Sequence, residues 1–178
     1  LHRLRGDDSG EFELLLSEIR AVISRRETAP AVLETLRPPA YGPVWRHTLA
    51  ARVLNELALR PECVVPRIEF ASYVLDSRAL AQLFVTIQEA RLLHVDAQRA
   101  AFGAIDRSTA PGIVEELLRS ERPEKLRRLA LHALVARAHA RGWSREQRAL
   151  LASYRADPSM LVSSAASWVF PPPLPAKR

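Results

Sequence analysis

The chain has 178 residues, of which 48% are hydrophobic and 26% charged, with a formal net charge of +6. That balance excludes a disordered chain and a membrane-resident one, and the length suits one domain or a short repeat array rather than a large multidomain enzyme. Ala and Leu supply about 30% of the residues against only 6 Gly, while 13 Pro punctuate the chain, which is the composition of an all-helical domain.

Apolar periodicity and stop signals predict about ten helices and no strand. The first covers 11–25, with Phe12, Leu15, Leu16, Ile19 and Ile23 on one face. A short helix over 30–36 ends at Pro38 and Pro39, and a longer one over 44–59 presents Leu49, Val53, Leu54 and Leu57. Pro61 and Pro66 bracket a loop that holds Cys63. Helices follow over 67–75, 78–92 and 96–105, with Asp76-Ser77 either a boundary or a kink within one longer helix. The last third reads as four helices, over 111–118, 123–141, 144–155 and 158–169. Thr109 and Ser144 are suited to cap free backbone N–H groups, and Pro111, Pro123 and Pro158 stand where a missing N–H is harmless. Gly142 suits a left-handed C-terminal cap. A proline-rich, basic tail occupies 171–178.

One segment recurs. Thr28-Ala29-Pro30-Ala31-Val32-Leu33-Glu34-Thr35-Leu36 aligns without a gap on Thr109-Ala110-Pro111-Gly112-Ile113-Val114-Glu115-Glu116-Leu117, and each precedes a proline-containing loop and a longer helix. Those second helices also correspond, Leu49 to Leu54 with Leu129 to Leu134, and a third version runs from Ala165 to Phe170. The offset of about 80 residues equals two units of about 40, the length of a two-helix solenoid repeat. This pattern resembles the HEAT-like or armadillo-like helical repeats, and the turn Ala156-Asp157-Pro158-Ser159-Met160-Leu161-Val162 is similar to the Asp-Pro-x-x-x-Val turn of bacterial HEAT repeats. The resemblance implies a right-handed α-α superhelix, with a capping helix over 1–27, repeats over 28–170 and the tail beyond. A helical bundle whose segments are alike by chance is the alternative. The first residue is Leu rather than Met, so the single structural domain is expected to be part of a longer protein.

Cys63 is the only cysteine, which rules out an intramolecular disulfide or a thiolate metal site and fits a reducing cytoplasm. The six glycines are too scattered for a dinucleotide or phosphate-binding loop, and neither a Gly-x-Ser-x-Gly elbow nor a His-Glu-x-x-His helix is present. His132 and His139 are seven residues apart, about 10 Å along a helix, too far for one ion. The pairs Asp7-Asp8 and Glu115-Glu116 point about 100° apart on a helix and read as solvent-facing N-terminal acids. Trp45, Trp143 and Trp168 are expected to pack at helix starts or repeat junctions. No cofactor, no metal and no catalytic residue is expected.

The charge distribution carries the functional reading. Net charge is about +1 over residues 1–60, about −2 over 61–120 and about +7 beyond. In the helix from Pro123, Leu126, Leu129, Ala130, Ala133, Leu134 and Ala138 form the seam, leaving Lys125, Arg128, His132 and His139 on a polar face. Arg122 and Arg127 extend the charge, as do Arg137, Arg141, Arg145 and Arg148. Inner helices of HEAT-like arrays line a concave surface that binds partners, so the resemblance implies a non-enzymatic interaction module for a protein or acidic segment. The alternatives are nucleic-acid backbone binding by the same basic face and, lower, an enzyme of the HEAT-like DNA glycosylase type.

Overall fold

The computed structural model describes residues 17, 43–119 and 122–173. The helices expected over 11–25 and 30–36, the capping segment and the Thr28 copy of the repeat fall outside the described residues, apart from Ser17, which is helical. Among the described residues there are eight α-helices, one 3-10 turn and no strand, so the chain is all-α. It falls into two compact units, 1–74 and 75–178.

The first unit contains α1 (Pro43–Ala58), the 3-10 turn (Pro61–Cys63) and α2 (Val64–Val74). Helix α1 packs on α2, and both touch the turn. Val53 and Leu57, one turn apart on α1, are buried, as are Cys63, Val64, Ile68 and Ala71. The expected loop through Pro66 is shorter than predicted, because α2 begins at Val64. Pro66 is the third residue of that helix, where the backbone N–H has no intrahelical acceptor and its absence is tolerated.

The second unit contains α3 (Ser77–Glu89), α4 (Val95–Arg107), α5 (Pro111–Arg119), α6 (Glu124–Arg141), α7 (Arg145–Arg155) and α8 (Met160–Ser167). The Asp76-Ser77 break is a true boundary, since the Asp76 carboxylate accepts the Ala79 N–H at 2.8 Å and caps α3. Helix α3 stops at Glu89 instead of continuing to residue 92. Arg91 takes φ 59°, and the N–H groups of Arg91 and Leu92 return to the carbonyls of Gln88 and Ile87 at 2.9 and 3.0 Å. This is a left-handed closure of the helix end, made without the usual glycine at a cost of about 1 kcal/mol. At the other end of the linker to α5, Ser77 Oγ accepts the Ala110 N–H at 3.1 Å and shares a 2.7 Å bond with Ser108 Oγ. Ser77 thus serves the Ala110 N–H just ahead of α5.

Helix α6 is the hub, packing on α3, α4, α5, α7 and α8. Seven of its residues are buried, the six seam residues of the sequence pattern and Leu131. A helix touched by five others loses a single apolar face, which is why its charged residues sit in the gaps between neighbours. Each fully buried Leu contributes about 2 kcal/mol of burial, so α6 anchors the unit. Gly142 has positive φ, 83°, as expected, but ψ of 163° sends the chain away extended. Ser144 then caps α7 in a reciprocal box with Gln147. Helix α8 is shorter than predicted, ending at Ser167. The third version of the repeated segment accordingly departs from the second. Ala166 is buried like Ala130, but Trp168, expected to pack, is 79% exposed, and Phe170 is 77% exposed. The residue before a proline is pushed out of helical conformation, and Pro171 follows Phe170 directly.

Candidate interaction surface

The six basic residues predicted on and beside α6 divide into three groups. Lys125, Arg128 and His132 recur at helical spacing and meet α4 and the loop before it. Lys125 Nζ donates to the Leu93 carbonyl at 2.8 Å. The Arg128 guanidinium lies 4.9 Å from the centre of the Phe102 ring, and His132 stacks on the same ring at 4.6 Å. His132 Nε2 donates to Asp106 Oδ1 at 2.9 Å. All three side chains are half-buried. Burial holds Arg128 below the ordinary guanidinium value, and the ring beneath it compensates in part through cation–π attraction. The polar stripe of α6 is thus a seat for α4, with its charged tips turned inward to partners of the same chain.

Arg122 and Arg127 form the second group, at the start of α6. Arg127 clasps Asp157 with two bonds of 2.7 Å, Nε to Oδ2 and Nη2 to Oδ1, and its Nη1 donates to the Arg122 carbonyl at 2.6 Å. Asp157 also accepts the Ser159 N–H at 2.8 Å, and Ser159 Oγ donates to Glu124 at 2.6 Å. The hydrogen bonds from Arg127 hold the Asp157 carboxyl below its ordinary range, and those same bonds raise Arg127. Arg127 is therefore a structural clasp whose third arm fixes the backbone at Arg122. His139 lies in the last turn of α6, exposed, as Arg141 is.

Arg122 stands at an open cavity of about 400 Å³ together with Arg78, Gln82 and Asp76. Ala81, Val85 and Leu117, from α3 and α5, supply its apolar lining. Neither Arg78 nor Arg122 has an ion pair among the described residues. Asp76, the third charge, has one carboxylate oxygen committed to the α3 cap. The arrangement offers two guanidiniums and an amide beside an apolar wall, which suits a carboxylate next to a hydrophobic group. Sequence reasoning found Arg122 through its charge run and missed Arg78, which lies 44 positions away and carries no local signal.

A second buried cluster corrects the reading of Glu115-Glu116 as solvent-facing acids. Glu116 is exposed, but Glu115 is 1% exposed. Its carboxylate meets Arg119 Nη1 at 3.1 Å and Arg137 Nη2 at 3.5 Å, and accepts the Tyr154 hydroxyl at 3.3 Å. Desolvation raises the Glu115 carboxyl in spite of the two arginines and the hydrogen bonds from Tyr154 and Arg119. Tyr154 is raised too, by burial first and by the Glu115 charge second. The cluster ties α5, α6 and α7 together. Among the described residues no three His, Cys, Asp or Glu side chains converge on a metal-binding geometry, and no helix is long and apolar enough to cross a membrane. Comparison with family models, with curated proteins and with solved structures finds no match to this chain.

Proposed function

We propose that this chain is a non-enzymatic helical interaction module that binds an acidic, partly apolar segment of a protein partner. The observation that carries the reading is the pair Arg78 and Arg122, without carboxylate partners among the described residues, at one cavity with an apolar wall. Elsewhere in the unit Arg119, Arg127 and Arg137 all meet carboxylates. A HEAT-like arrangement of the second unit is part of the proposal, supported by the packing of α3 on α5, α4 on α6 and α6 on α8. Such next-but-one contacts are those of stacked helix pairs. The binding surface is then the cavity edge of α3, α5 and Arg122, with Arg127 as the residue that positions Arg122.

The test is the affinity of a fluorescein-labelled peptide of Glu and Leu, measured by anisotropy. Replacing both arginines, Arg78→Ala and Arg122→Ala, removes two charge-assisted contacts and should weaken binding at least about tenfold, with an unchanged melting temperature. Lys125→Ala should leave the affinity within about twofold of the parent. Equal affinity of the double variant and the parent would remove the cavity from the reading. A second reading, nucleic-acid backbone binding, is favoured by His139, Arg141 and Arg145, exposed together around the α6–α7 turn without ion pairs among the described residues. It requires that affinity for random duplex DNA fall steeply as salt rises, and that Arg141→Ala with Arg145→Ala weaken it.

A further inference from the structure

Among the described α-helices only α8 carries no charged side chain. Its buried residues Val162 and Ala166 meet α6 and α7, while Met160 is 82% and Leu161 40% exposed, and Ser164, Ser167 and Trp168 are exposed as well. At about 100° per residue Leu161 and Trp168 stand within about 20° of each other, and Ser164 lies at the centre of the exposed arc, one turn from Met160 and one turn from Trp168. The aromatic end is held in place. Arg155 donates from Nε to the Ala166 carbonyl at 3.3 Å and from Nη2 to the Val169 carbonyl at 2.6 Å, and Arg148 donates to the Pro172 carbonyl, so Trp168 and Phe170 project from a fixed backbone. At the other end Ser159 Oγ donates to Glu124 at 2.6 Å. An apolar ridge therefore runs from an exposed acid, Glu124, to an exposed base, Arg155.

We infer that this ridge is the contact through which two copies of the chain pair, α8 against α8, about a two-fold axis at Ser164. Antiparallel pairing about that axis lays Trp168 of each copy on the partner's Met160, where a thioether meets an aromatic ring favourably. The same operation brings Arg155 of each copy toward the partner's Glu124. The two Arg155 side chains stay at opposite ends of the contact, about 12 Å apart along the helix and beyond the screening length of about 8 Å. In a chain of net charge +6, the uncharged face is where two copies meet with least repulsion. The area is sufficient. Trp168 and Phe170 leave roughly 300 Å² exposed at about 150–250 Å² per aromatic, and Met160 with Leu161 brings the ridge to roughly 450 Å². Two ridges, with the serines between and the exposed Pro172 and Pro173 beside them, reach the roughly 1,000 Å² that a specific interface needs.

The experiment is sedimentation velocity on the whole chain from about 1 to about 200 µM, in which the mass should rise from that of one chain toward that of two, with a Kd below about 100 µM. Ser164→Asp sets two like charges face to face at the axis, and Trp168→Ala removes the largest contact; each should weaken pairing at least about tenfold. Glu124→Gln keeps an acceptor for Ser159 and should weaken pairing about twofold, a difference that vanishes at high salt. At concentrations well below the Kd, Ser164→Asp and Trp168→Ala should melt within about 3 °C of the parent, because both positions are exposed. The Arg78→Ala and Arg122→Ala variant should pair as the parent does, which separates this contact from the cavity. A parent that stays monomeric at about 200 µM, or a dimer that Ser164→Asp and Trp168→Ala leave intact, overturns the inference. In the first case acrylamide quenching of Trp168, read as the difference between the parent and Trp168→Phe, tells a ridge left open for another partner from one covered by the chain itself.

Discussion

Arg127 and Arg137 lie ten residues apart on α6, about 15 Å along its axis, and each reaches a carboxylate from another part of the second unit. Asp157 and Glu115 are both nearly buried, with side-chain exposures of 8% and 2%. Their carboxyl groups nevertheless shift in opposite directions, Asp157 down and Glu115 up. Depth and donor geometry together separate them: desolvation is the larger effect at Glu115, and the hydrogen bonds from Arg127 are the larger effect at Asp157. Asp157 receives two 2.7 Å bonds from a single planar guanidinium and a backbone N–H besides. Glu115 receives longer contacts of 3.1 and 3.5 Å from two different arginines and 3.3 Å from a tyrosine, and the Nε of Arg137 is buried without a hydrogen bond. A bidentate fork repays desolvation of the carboxylate, whereas scattered donors at longer range do not.

The same isosteric change therefore has different consequences at the two sites. Asp157→Asn breaks the fork, frees the Arg127 guanidinium and loosens the Arg122 carbonyl and the Ser159 turn, so it should lower stability by about 3 kcal/mol. Glu115→Gln keeps an acceptor for Tyr154 and one arginine and removes a desolvated charge. Arg119 and Arg137, 33% and 26% exposed, can turn to water. Its effect should stay within about 1 kcal/mol of zero. Urea denaturation of both variants decides this, and a loss at Glu115→Gln as large as that at Asp157→Asn would show that donor geometry is not what separates the clusters.

Titration sharpens the contrast. The folded pKa of Glu115 is raised above its unfolded value, so its stabilising contribution is complete below about pH 4.3 and is lost as pH rises through the folded value. Asp157 is the reverse, contributing above about pH 3.9 and losing that contribution as pH falls through a lower folded value. As pH falls from 7 to about 4.3 the wild type should thus gain stability relative to Glu115→Gln. The gap to Asp157→Asn should be flat over that range and close only below about pH 4. Melting curves of the three proteins across pH supply both differences.

What was legible in the sequence follows from the range of each signal. The α6 seam was predicted from spacing alone, because i, i+3 and i+4 apolar positions depend only on the helix itself, and all six predicted seam residues are buried. The Ser144 cap was equally local. The two carboxylate clusters were not legible, since Arg127 and Asp157 are 30 residues apart and Glu115 and Tyr154 are 39 apart. Glu115 and Glu116 are identical in type and adjacent, and only the 100° between them decides which one faces the packed side. The Lys125, Arg128 and His132 stripe was found on the right face, but the pattern of one helix cannot show that Phe102 and Asp106 of α4 would cover it. Trp168 misled because an aromatic in a short helix reads as core, while the proline run beyond it ends the helix before the ring can turn inward.

Gly112 links the helix start of α5 to the weaker of the two clusters. A Cβ at this position would stand 3.0 Å from Arg137 Nη1 and 3.1 Å from its Cδ, so any side chain there must displace the arginine that reaches Glu115. Gly112→Ala brings two opposing effects: a gain in helix propensity of up to about 1 kcal/mol and the displacement of Arg137. Displacement matters only while Glu115 holds Arg137 in place. In the wild-type background the two effects should nearly cancel, and in the Glu115→Gln background the gain should emerge, giving a coupling of about 0.5 kcal/mol in a double-mutant cycle. Strict additivity would mean that Arg137 rests over Gly112 for reasons of packing alone, and that its 3.5 Å contact with Glu115 contributes nothing to holding it there.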